Sequence, residues 1–265
     1  MATLRRMLEA RRAGLEESFR IHAIEDTVQK IARDEREVDQ RGVKLLAFSG
    51  SMWGERLAAL HAEEELVSLV QSSNPDLMRV GGHGLVAMDR ADRLMELLAL
   101  TPFPATLIDA ALEANRFRAL KDLSRQGRIS PEVILKHAVA LHLADVVADL
   151  IAPEDAWPRR LSESTEEALQ MAVDSLATQG ATDRLVRVVQ LYESDAAVRA
   201  LVQLRAFEQI LGALTLWPSG PARTATAELY RLTGIPETTG SSPTWPTYLE
   251  EQEALIQRWR AALLP

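Results

Sequence analysis

Leu, Ala, Val and Ile recur at steps of three and four through most of residues 75–234, as in LMELLAL over 94–100 and ADVVADLI over 144–151. That spacing gives a helix one apolar face, whereas strand-like alternation is scarce, so the pattern predicts an all-α chain. Prolines mark the helix boundaries, because proline lacks an N–H and is tolerated only at the first helical turn. None occurs in the first 74 residues; then Pro75 and Pro102 lie 27 apart, and Pro104, Pro131 and Pro158 follow at intervals of 27. Asn74-Pro75-Asp76 and Ser130-Pro131-Glu132 have the form of a capping residue before an N-terminal proline, and Ser164 to Glu167 that of a capping box. Helices are therefore predicted to open near 75, 105, 131 and 165, and to close at Gly127, Gly180 and Gly234, where a left-handed residue ends a helix.

Internal similarity sharpens the prediction. Residues 85–98 align with 176–189 at an offset of 91, laying Asp92-Arg93-Leu94 on Asp183-Arg184-Leu185, and the same offset lays 105–120 on 196–211. An offset of 27 lays Ala111, Leu120, Asp122 and Leu123 on Ala138, Val147, Asp149 and Leu150. Helical units recurring at about 27 to 31 residues predict an α-solenoid of stacked helix–turn–helix repeats. Residues 1–74 form an N-terminal helical segment in this scheme, 75–234 the repeats, and 235–265 a loop followed by a capping helix. Over 1–41 the apolar stripe Leu4, Leu8, Leu15, Phe19, Ile24, Val28, Ile31 and Val38 is too irregular for a free coiled coil, so this stretch is expected to cap the first repeats. The loop 235–247 holds three prolines, and Trp259 on the last helix is expected to close the array.

Composition narrows the function classes. The 265 residues are 47% hydrophobic and 26% charged, which suits a folded chain, and the absence of cysteine excludes disulfides and thiolate chemistry. With 30 basic against 38 acidic residues the net charge is −8, an unfavourable field for nucleic acid or anionic lipid. The N-terminus, with Arg5, Arg6, Arg11 and Arg12 among glutamates, lacks the apolar core of a secretory signal, and no apolar run approaches the ~20 residues of a spanning helix. A soluble cytoplasmic protein without cofactor is expected.

Most candidate motifs have a structural explanation. Gly81-Gly82-His83-Gly84 is read as close helix packing, within the second helix of the unit opened by Pro75, because no strand precedes it and no Gly-Lys-Ser/Thr follows. Ser49-Gly50-Ser51-Met52-Trp53-Gly54 lacks the nucleophile-elbow form and is read as a turn joining the N-terminal helices to the rest. His61 with Glu64 and Glu65 supplies too few ligands for a metal, and His137, His142 and Asp145 come with no nucleophile. One feature carries a binding hypothesis: Arg116, Arg118, Lys121, Arg125 and Arg128 are five basic residues in 13, against the single acid Asp122. Arg118, Lys121 and Arg125 follow at three and four and so share a helical ridge, suited to an acidic segment of a protein partner.

The segment Ala227-Glu228-Leu229-Tyr230-Arg231-Leu232-Thr233-Gly234, followed by Pro236, Trp245 and Arg258-Trp259-Arg260, resembles the C-terminal end of bacterial HEAT-like repeat proteins, including some associated with type VI secretion. Residues 172–214 are similar to a HEAT helix pair in the placement of Leu176, Gly180, Leu185, Val188, Val198, Ala206 and Leu211. The resemblance implies a non-catalytic scaffold or adaptor that binds a protein partner along a concave surface. The alternative is a DNA-repair enzyme of the HEAT-like alkylpurine glycosylase type, whose duplex-gripping surface is broadly basic. Here the net charge is 0 over 1–41, −3 over 42–160 and −5 over 161–265, which disfavours it. A bilin-lyase-like repeat shares only the fold class.

Overall fold

The computed structural model describes residues 14, 16–31, 33, 46–101, 104–153, 160–162, 165–236 and 249–264. Helices are their regular structure, with no strand among the described residues. The chain forms two compact units, Met1–Ser130 and Pro131–Pro265. In the first, helix α1 covers residues 16–31 and is followed by α2 (Leu46–Ala59), α3 (Glu63–Val70), α4 (Pro75–Ala87) and α5 (Ala91–Leu100). A 3-10 turn (Pro104–Leu107) then leads into α6 (Ile108–Glu113) and α7 (Phe117–Arg125). The second holds α8 (Pro131–Ala140), α9 (Ala144–Ile151), α10 (Glu166–Thr178), α11 (Thr182–Tyr192), α12 (Asp195–Gln203) and α13 (Phe207–Ala213), then α14 (Ser219–Thr233) and α15 (Leu249–Leu263).

Helices α4 and α8 open on Pro75 and Pro131, and Asn74 Oδ1 accepts from the Asp76 amide at 2.9 Å. The expected capping box does not form: Thr165 rather than Ser164 caps α10, accepting from the Ala168 amide at 3.1 Å, and the third helical position is then Ala168, which has no carboxylate to reach back; Ser164 lies outside the described residues. Pro102, Pro158, the N-terminal arginines and most of the 235–247 loop also lie outside them.

Among the described residues, six helix hairpins share one turn. In each, a left-handed residue follows the first helix: His61, Asp89, Asn115, His142, Gly180 and Arg205, with φ between 53° and 66°. The next amide reaches back to a carbonyl five residues earlier, as Ala62 to Leu57, Arg90 to Leu85, Arg116 to Ala111, Leu143 to Ala138, Ala181 to Leu176 and Ala206 to Leu201. This is the 6→1 bond of a Schellman cap, which satisfies carbonyls that the helix end leaves open. The residues supplying those carbonyls have no solvent exposure. Neither have Leu66, Leu94, Leu120, Val147, Leu185 and Ile210, each five positions beyond the left-handed residue. The turn thus clamps one buried residue of the first helix beside one of the second.

The sequence offsets fall on these turns. An offset of 91 carries Leu85 and Asp89 onto Leu176 and Gly180, and 27 carries Ala111 onto Ala138, all equivalent turn positions. The alignment of 105–120 on 196–211 is out by one residue, because Asn115 and Arg205 are 90 apart.

Within each unit the principal helix contacts join chain neighbours and next-but-one neighbours. In the first these include α2 with α3 and α4, α3 with α4, and α4 with α5 and α6. In the second, α10 meets α9, α11 and α12, α12 meets α14, and α13 and α14 meet α15. Trp259 on α15 is fully buried, and its indole nitrogen donates to the Ile235 carbonyl at 3.4 Å.

Glycines set the closest approach. Residues 49–54 are part of α2, not a turn, and the Gly81–Gly84 string lies in the helix that Pro75 opens, not in the second helix of that hairpin. A Cβ placed on Gly54 would stand 2.6 Å from the Val80 carbonyl oxygen and 2.9 Å from the Gly84 nitrogen. One placed on Gly81 would stand 2.6 Å from the Leu66 carbonyl oxygen. The opposing atoms are backbone, so a methyl group there forces α2 or α3 away from α4. The expectation of close helix packing therefore holds, while turn chemistry misidentified Gly54: in a helix the same residue removes a side chain rather than permitting a bend.

Gly54→Ala is expected to lower stability by about 1–3 kcal/mol through overpacking. Gly212→Ala, in α13 with no atom within 4 Å of the added Cβ, is expected to raise it by about 0.5–1 kcal/mol. Gly180→Ala has the same open space but a φ of +66°, and is expected to destabilise by about 1 kcal/mol. Chemical denaturation of the three variants checks all three signs.

Candidate protein-binding face

Each hairpin starts its second helix without a side-chain cap: Ala62, Arg90, Arg116, Leu143, Ala181 and Ala206 occupy the capping positions of α3, α5, α7, α9, α11 and α13. The open N–H groups and the helix dipole make that end positive, which favours a nearby carboxylate. Three residues after the left-handed position the chain supplies one in five hairpins: Glu64, Asp92, Asp145, Asp183 and Glu208, all exposed. In α7 the same position is Arg118, also exposed, and the first turn of α7 holds no acid.

The capping arginines of the first unit are paired backwards. Arg90 Nε donates to Glu63 Oε2 of α3 at 3.1 Å, and Arg116 Nη2 lies 3.1 Å from Asp92 Oδ1 of α5. Each second helix thus offers a carboxylate to the arginine at the head of the next. Helix α7 presents a guanidinium, Arg118, where α5 presents Asp92 and α3 presents Glu64, one position after the Glu63 that pairs with Arg90.

The structure places the five predicted basic residues as follows. Arg118, Lys121 and Arg125 lie on α7, Arg116 at its head and Arg128 in the turn after it. Arg118, Arg125 and Arg128 are exposed, and Lys121 and Arg116 are half-buried. Arg116 is paired with Asp92 and Arg125 with Asp122 at 3.2 Å within the helix, and Lys121 also has a partner within the chain. Arg118 and Arg128 make no ion pair among the described residues, so the face is basic at both ends and partly neutralised in its middle.

The other candidates resolve as structural. His83 Nδ1 lies 3.0 Å from Glu113 Oε2, tying α4 to α6. His142 sits in the left-handed turn after α8 rather than on a helix face, and Asp145 accepts from Ser175 Oγ at 2.7 Å and Gln179 Nε2 at 3.0 Å. His61 likewise occupies a turn, and no group of three or more potential metal ligands occurs among the described residues. No helix among the described residues is long and apolar enough to cross a membrane.

One concavity escaped the sequence. An open cleft of about 750 Å³ in the first unit is bordered by Ile21, Ile24 and Glu25 of α1 and by Glu64, Glu65 and Val67 of α3. Its residues come from three separate stretches of the chain, around residues 20–25, 61–67 and Arg93, so no local motif announced it. Arg20 holds α1 there by donating to the Leu60 carbonyl at 3.0 Å, and Glu17 accepts from Arg20 Nε at 2.9 Å. That hydrogen bond pulls the Glu17 carboxyl below its ordinary range, so its support of Arg20 is present above that range and fades as pH falls.

No protein-family model, no curated protein and no solved structure matches the chain.

Because Arg118 stands where the helix dipole favours an acid, Arg118→Glu is expected to stabilise the fold by about 0.3–1 kcal/mol at low salt, less at high salt. Asp183→Arg, the reverse exchange in α11, is expected to destabilise by a similar amount. Thermal melts at two ionic strengths check both.

Proposed function

We propose that the protein is a non-catalytic interaction scaffold: an α-solenoid-like array of HEAT-like helix hairpins that binds a protein partner. The observation that carries this function is the recurrence of one hairpin turn with the same buried pair, in helices that pack chiefly on near neighbours in the chain. Near-neighbour packing extends a core along the chain rather than closing it, and leaves one row of side chains per hairpin facing water. Here that row is Glu64, Asp92 and Arg118 in the first unit and Asp145, Asp183 and Glu208 in the second, all exposed and charged. Such a row is a surface for reading another protein's charge, with steering and register as its main effects.

Cross-linking of the tagged full chain in native extract, with the linked peptides sequenced, tests the proposal. A stoichiometric protein partner linked to residues on the second helices of the hairpins is the expected result. Recovery of duplex DNA or a bound small molecule in place of a protein, or links confined to other surfaces, would overturn it.

A further inference from the structure

Resting on the scaffold function proposed above, the geometry points to the exposed face of α7 as the docking site for an acidic protein segment, with Arg118 receiving a carboxylate from the partner. Three observations converge on that occupant. First, Arg118 stands at the hairpin position that carries Glu or Asp in the five sibling helices, and it does so at a helix start, where a cation is disfavoured. A residue that opposes the fold's own electrostatics at a single place in a recurring pattern marks a place where the chain serves something other than its stability.

Second, the arginine–carboxylate ladder has a polarity. Asp92, the equivalent of Arg118 on α5, takes Arg116 at the head of α7, whereas α7 itself offers a guanidinium at that position; Glu63, which takes Arg90, lies one position earlier in its hairpin. The complementary group is a carboxylate, and an arginine fork recognises one through two parallel N–H donors. Third, Arg128 follows in the turn with no ion pair among the described residues, and Lys121 and Arg125, although both have partners within the chain, continue from Arg118 along the same face at steps of three and four. The face therefore matches an extended or helical segment bearing several acids, rather than a lone anion. In a chain of net charge −8 the reversal of sign is local, so the field directs such a segment to α7 and away from the acidic rows of the other hairpins.

The probe is a fluorescein-labelled, alanine-based peptide with glutamates spaced at three and four, titrated with the full-length protein by fluorescence anisotropy at roughly 50 mM ionic strength. Saturable binding is expected, weakened about tenfold or more by Arg118→Glu combined with Lys121→Glu, and unchanged by Arg223→Glu on exposed α14. Arg118→Glu alone should weaken the peptide while raising Tm, a combination that misfolding cannot produce. Absence of binding to the wild-type protein, or equal weakening by Arg223→Glu, would overturn the assignment of α7. So would tighter binding of duplex DNA or polyphosphate than of the peptide. If the cross-linked partner is recovered from extract but its yield is unaffected by the α7 variants, the scaffold stands and the α7 site falls. Loss of any protein partner removes the scaffold itself.

Discussion

Everything in this chain depends on a short turn that must reverse a helix while keeping two apolar side chains beside each other. Helices α2 to α15, of six to fifteen residues, are too short to be stable in water by themselves, so each holds only if its apolar face is covered. The left-handed residue with its 6→1 hydrogen bond brings the end of one helix against the start of the next with a fixed register. Six such turns place twelve side chains in full burial, from Leu57 and Leu66 in the first to Leu201 and Ile210 in the last. The tightest spot is set by the absence of side chains: Gly54 and Gly84 let α2 and α4 meet backbone to backbone.

Much of this organisation was legible in the sequence, for definite reasons. Pro75 and Pro131 open helices because their missing N–H is an orphan there anyway, and Gly127, Gly180 and Gly234 all have positive φ at helix ends. The all-helical class followed from the three-and-four spacing. The other hairpin turns were not legible, because His61, Asp89, Asn115, His142 and Arg205 hold the left-handed conformation without being glycine. Asn, Asp and His enter that conformation more readily than other side chains, but far less distinctively than glycine does. Ser49–Gly54 misled for the opposite reason: glycine and serine read as turn signals, yet here they lie inside α2, where Gly54 serves packing.

The candidate site shows the same division. Spacing alone put Arg118, Lys121 and Arg125 on one ridge, and α7 does carry them. What spacing could not supply was the comparison that gives Arg118 its meaning. Only after the left-handed residues were located did Glu64, Asp92, Asp145, Asp183 and Glu208 become its equivalents, with Arg118 as the one cation among acids. The ladder of Arg90 with Glu63 and Arg116 with Asp92 likewise joins residues 27 and 24 apart, a relation that exists only once the hairpins are folded.

Native-state amide exchange resolved to single residues tests the shared turn most directly. The account predicts that the amides of Ala62, Arg90, Arg116, Leu143, Ala181 and Ala206, each the donor of a 6→1 bond, are protected to the level of the helices they join. Exchange of these six amides at the rate of open loops, with protection confined to helix interiors, would contradict it.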